Sequence, residues 1–157
     1  MGTRGDYLDD FLKNLNLPYY KGIFAADTVP LHLTKKSIFC IIINTDLVNM
    51  RGQHWLALVK YKTKTRIFDS LSIPVKTLYS PLKDLFSKLK AKPGRVEAIQ
   101  PIYSNLCGFY CIHEILKFHL ILSKKKYKIK PFKSNPAHND VICINNIQKM
   151  IKIINRK

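Results

Sequence analysis

Tyr7, Leu8, Phe11, Leu12 and Leu15 recur at steps of three and four, which places them on one face of a helix over residues 6–15, ending near Asn16–Leu17–Pro18. SIFCIIIN (37–44) is apolar, β-branched and too short for an ordinary helix, so it predicts a buried strand. HWLALVKY (54–61) and TRIFDS (65–70) flank a polar KTK and predict a β-hairpin. These three strands form the centre of a sheet.

Ser80–Pro81 reads as a cap followed by a first-turn proline, predicting a helix over about 81–91 that stops before Pro93–Gly94. RVEAIQ (95–100) alternates like a strand, and 107–122 supplies the longest apolar helix. SKKKYKIKPFKSNPAHN (123–139), with two prolines and six lysines, predicts a long exposed loop before a last helix over 141–154 capped by Asn139 or Asp140. With no internal repeat and no separating linker, the expectation is one α+β domain over 1–157. Its mixed central sheet packs against the helix at 107, and a basic loop and helix follow from about 124 to 157.

Charge narrows the list of partners. The chain carries 27 basic and 10 acidic residues, a net +17, with 5 and 5 in residues 1–50, 12 and 4 in 51–123, and 10 and 1 in 124–157. Such a field attracts polyanions, and nucleic acid is the expected partner, held without sequence preference. Lys124, Lys125, Lys126, Lys128, Lys130 and Lys133, interleaved with Tyr127 and Phe132, are candidate contacts to phosphates and bases; a solvated basic loop is the competing reading. MGTRGDYLDD lacks the apolar run of a signal peptide, Asp6 breaks a myristoylation signal, and no stretch is apolar for long enough to span a bilayer. The expectation is a soluble, unsecreted monomer without a membrane partner, its cysteines reduced.

Chemistry enters at NLCGFYC (105–111). A cysteine opening a helix sits near unpaired N–H groups and the positive end of the dipole, which favours thiolate, and Gly108 leaves room for a substrate carbonyl. A buried structural cysteine is the competing reading, and the hairpin tips the balance. His54 opens one strand and Asp69 closes the next, so a turn near 61–64 places them on one face, roughly opposite. That is a base and its orienting acid. Gln100, seven positions before Cys107, could share a developing oxyanion with the Cys107 backbone N–H. Trp55 and Asn105 are candidate active-site or substrate-lining residues beside Gly108. Cys40, Cys111 and Cys143 read as core, and His32, His113, His119 and His138 as surface or loop histidines. Cys107, Cys111 and His113 are spaced poorly for zinc, and no metal is expected.

The order His54, Asp69, Gln100, Cys107 resembles that of adenovirus-type maturation cysteine proteases (adenain-like), found in adenoviruses, virophages and Polinton-like elements. These are distant relatives of the proteases that remove ubiquitin-like modifiers. The similarity runs from residue 18 to about 120 and takes in GIFAADTVP (22–30), like the family's substrate-groove segment, and IINT (42–45), about ten positions before the histidine. The seven-residue interval and Leu106, where modifier proteases have Asp, favour the adenoviral branch. The resemblance implies a papain-like fold with reversed motif order, and cleavage of viral capsid or core precursors after small residues. It also implies stimulation by DNA and an activating viral peptide, no cofactor for the chemistry itself, and a place in the virion and infected cell. Asp69 replaces the usual Glu, and no docking strand or cysteine partner for an activating peptide is identifiable. A modifier-deconjugating protease and a non-enzymatic basic DNA-packaging protein are the competing functions.

Overall fold

The computed structural model describes residues 4–156; Gly2, on which the myristoylation reading also turns, lies outside them. Five strands stand in the order β1 (Tyr20–Phe24), β2 (Ile38–Asn44), β3 (Trp55–Tyr61), β4 (Lys64–Phe68) and β5 (Lys92–Pro93). The inner pairs are antiparallel and the two outer pairs parallel, which makes the sheet mixed. SIFCIIIN carries no alternation because β2 is buried on both faces. Phe39, Ile41 and Ile43 pack with α2 (Ser80–Lys88). Cys40 and Ile42 point the other way, into the larger core made with α1 (Gly5–Asn14), α3 (Cys107–Leu122) and α4 (Asn139–Ile154). The architecture is α+β, with helices on both sides of the sheet. Among the described residues, no helix is long and apolar enough to cross a membrane.

The expected strand over 95–100 does not form. Its alternation has no core to face, since Val96 is 91% exposed, and the short β5 lies earlier, against Arg66 and Ile67. Only Ile99 and Gln100 turn inward, their N–H groups donating to the Ser70 carbonyl at 2.9 and 3.0 Å. The expected caps also move. Ser80 is the first residue of α2 rather than its cap, and His138 precedes α4, so neither Asn139 nor Asp140 caps it. β1 had no sequence signal of its own: it is a five-residue edge strand broken by a register shift beside Gly22, whose φ is +116°.

Residues 125–133 form a strap rather than a free loop. Tyr127, Ile129 and Phe132 pack against the core while Lys126, Lys128 and Lys130 stay exposed. Two asparagines seven apart on α4 hold its backbone. Asn146 accepts from Lys130 N at 3.0 Å and donates to Lys130 O at 2.8 Å; Asn139 does the same with Lys133 at 2.8 and 2.9 Å. His113, expected at the surface, is buried beneath this strap against Phe132. Burial, helped by Lys117 and Arg95, pushes its pKa down to about 3, so the neutral ring accepts from Asn146 Nδ2 at 3.3 Å.

Asn146→Ala removes both backbone partners of Lys130 and should cost about 1–3 kcal/mol in urea unfolding. Amide exchange at Lys130 should accelerate in the folded variant; unchanged exchange there would contradict the strap's attachment.

Candidate active site

β3 starts at Trp55 and β4 ends at Phe68, so His54 and Asp69 are the first residues beyond the paired ladder. Ala57 stands opposite Phe68 and Leu58 opposite Ile67, a register that puts His54 and Asp69 on one face, one diagonal step apart. The imidazole and carboxylate meet as expected, with His54 Nε2 2.7 Å from Asp69 Oδ1. Asp69 does not swing freely, because Oδ1 also accepts from Leu71 N and Oδ2 from Ile73 N, each at 2.8 Å. That turn aims the short acid arm.

The other side of His54 is fixed by the loop from β2. Thr45 N donates to the His54 carbonyl at 2.9 Å. Gly52 returns the chain at φ +78°, where a Cβ would fall 2.6 Å from Asn44 Nδ2, so any side chain there would be strained. His54 is 4% exposed.

Cys107 is the first residue of α3 and is buried at the positive end of the helix. Its side chain lies close enough to His54 to act on the ring electrostatically. Since Nε2 is engaged by Asp69, Nδ1 is the ring nitrogen left to meet the sulfur. Burial by itself would lower the His54 pKa. The hydrogen bond to Asp69, with the neighbouring Cys107 side chain and the charges of both groups, outweighs it, pushing the pKa up from 6.5 to about 9.

Gln100 is buried, at the end of an irregular segment rather than of a strand. Its Oε1 accepts from Ser70 Oγ at 2.6 Å and its Nε2 donates to the Ser104 carbonyl at 2.8 Å. Ser104 Oγ in turn accepts from Leu106 N at 3.2 Å, tying the carboxamide to the turn that leads into Cys107. An amide nitrogen has two hydrogens, so one remains for another acceptor.

Gly108 is buried, and Asn105 lies exposed on the same turn. Trp55 is half-buried over the start of α1, where a Cβ on Gly5 would come within 3.0 Å of its ring. It also borders a cleft of about 430 Å³ with Ile23, Phe24, Val48, Met50 and Arg51. Cys40, Cys111 and Cys143 are core residues. Lys124, Lys126, Lys128, Lys130 and Lys133 are exposed, whereas Lys125 is half-buried: its Nζ donates to the carbonyls of Ile153, Ile154 and Arg156 at 3.1–3.2 Å, closing the end of α4. Sequence reasoning gave no site role to Ser70, Asn44, Gly52 or Asn139. The one local signal was the Asp69–Ser70 dipeptide, whose side chains diverge at the strand end, one to His54 and the other to Gln100.

No family model matches the chain. The chain is 25% identical over 162 residues to a protein named Protease from Porcine adenovirus A serotype 3, the alignment covering 93% of this chain and 76% of that protein. Similarity to a viral protease thus spans nearly the whole chain and, with only 7% outside it, continues past residue 120.

The folded chain holds the His54 proton more tightly than the unfolded one, so the imidazolium stabilises the fold fully below about pH 6.5, and that contribution is lost as pH rises through about 9. In NMR titration of the ring nitrogens, His54 should change charge near 9, and Asp69→Asn should move the midpoint down. A wild-type midpoint near 6.5 would contradict the coupling.

Proposed function

We propose that the protein is a cysteine endopeptidase of the adenovirus maturation type, one papain-like domain over 1–157 with reversed motif order. The observation that carries the reading is the His54–Asp69 hydrogen bond, with the Cys107 side chain close enough to shift the same imidazole. The similarity to a viral protease supports it independently.

In this reading the His54 ring takes the Cys107 proton through Nδ1, and Asp69 stabilises the resulting imidazolium. The thiolate attacks the scissile carbonyl, and the oxyanion accepts from the free Nε2 hydrogen of Gln100 and from the Cys107 backbone N–H. Collapse expels the amine, which takes its proton from His54. Water, with His54 as base, then hydrolyses the thioester and returns the free enzyme.

The substrates are viral capsid or core precursors cleaved after small residues, in the virion and the infected cell. The cleft bordered by Trp55 and Phe24 is a place for the residues preceding the scissile bond. DNA is the polyanionic partner. A second cleft, of about 450 Å³, where Arg66, Arg95 and Lys117 join Lys130 of the strap, extends the surface available to phosphates.

Mixing the purified chain with Gly-containing precursor peptides, with and without DNA, tests substrate and activation together. Cys107→Ala should abolish cleavage while far-UV circular dichroism stays unchanged; a variant that still processes a peptide would refute the assignment. A panel of ubiquitin-like fusions separates the deconjugating alternative. DNA affinity should fall steeply with salt through counterion release, and salt-insensitive binding or none would remove DNA as the reason for the +17 charge.

A further inference from the structure

The oxyanion role assigned to Gln100 requires its carboxamide to face one way. A flexible glutamine at the end of an irregular segment has no intrinsic reason to do so, and about three torsions must be held. Ser70 grips this residue twice. Its carbonyl accepts from Ile99 N and Gln100 N at 2.9 and 3.0 Å, and its hydroxyl donates to Gln100 Oε1 at 2.6 Å. The neighbouring Ile99 carbonyl accepts from Asn139 Nδ2 at 2.9 Å, which anchors the same stretch to the start of α4.

The chemistry of the partners settles which way the amide points. The Ser104 carbonyl can only accept, so the group facing it at 2.8 Å is the NH2, and the oxygen faces the Ser70 hydroxyl. Ser70 is 1% exposed, so water does not compete for this bond. Without the hydroxyl, Oε1 would be buried and unpaired, and the amide would gain by rotating away.

We propose that Ser70 is a positioning residue for the oxyanion site: it fixes the Gln100 carboxamide so that the second Nε2 hydrogen points at the reacting carbonyl. The proposal rests on the protease reading above. Since Ser70 follows Asp69 directly, one dipeptide sets both the imidazole and the oxyanion donor.

A purely structural Ser70 would disturb every function of the site together, whereas an oxyanion-positioning Ser70 affects only steps that build negative charge on oxygen. Alkylation of Cys107 by iodoacetamide builds none. Two rates are therefore measured on the full chain, hydrolysis of a Gly-containing peptide and alkylation of Cys107, for the wild type, Ser70→Ala, Ser70→Thr, Gln100→Ala and the Ser70→Ala/Gln100→Ala double variant.

Ser70→Ala should lower kcat by about 10- to 100-fold with KM nearly unchanged, as expected for a misplaced group. Alkylation should stay within about twofold of wild type. Ser70→Thr, which keeps the hydroxyl, should recover much of the loss, and the double variant should be no slower than Gln100→Ala. Full activity in Ser70→Ala, parallel loss of kcat and alkylation, or additive losses in the double variant would each overturn the proposal. A wild type that cleaves no peptide overturns the protease reading itself and this proposal with it; an active wild type with an indifferent Ser70→Ala overturns only the proposal.

Discussion

A buried imidazole between a carboxylate and a sulfur is the interaction on which the rest of this structure depends. His54 has almost no contact with water, and an isolated ring there would be neutral. Asp69 reverses that preference, and it does so because two backbone N–H groups of the following turn hold its oxygens in place. The hairpin register, the forced return at Gly52 and the start of α3 at Cys107 all converge on this one geometry. A one-residue slip of the hairpin register would send His54 or Asp69 to the opposite face of the sheet.

The parts of the fold that were legible in the sequence are those whose signal is local. α3 begins and ends at the residues expected, and β2 through β4 lie where β-branched, apolar runs predict them. From the hairpin alone the approach of His54 to Asp69 follows, because antiparallel pairing converts a sum of residue numbers into a shared face. What could not be read was set by distant partners. The 95–100 segment alternates like a strand, yet its neighbours leave nothing for Val96 to pack against. Asn139 and Asp140 have the chemistry of caps but are drawn into bonds with Ile99, Lys133 and Tyr110. Ser70 carries no motif, and its part in the site exists only because residue 100 folds back onto it.

The last fifth of the chain shows why charge alone is an incomplete guide. Its lysines suggested a solvated arm, but alternate residues of the strap are apolar and bury themselves. The asparagines of α4 supply the hydrogen bonds that a strap without a neighbouring strand would otherwise lack. Asn139 also reaches the Ile99 carbonyl, so the strap, the last helix and the segment carrying Gln100 are joined at one fully buried side chain. The exposed lysines keep a basic face outward while Lys125 is spent inside, closing the carbonyl end of α4.

Four free cysteines offer an internal comparison, since Cys40, Cys111 and Cys143 sit in the core, where burial pushes their thiol pKa values up. Site-resolved labelling by a thiol probe at mildly acidic pH, followed by mass spectrometry, measures directly whether an imidazole activates Cys107. Labelling should concentrate on Cys107 in the wild type and collapse there in His54→Ala. Equal, slow labelling of all four cysteines, or fast labelling of Cys107 that survives loss of the imidazole, would contradict the account.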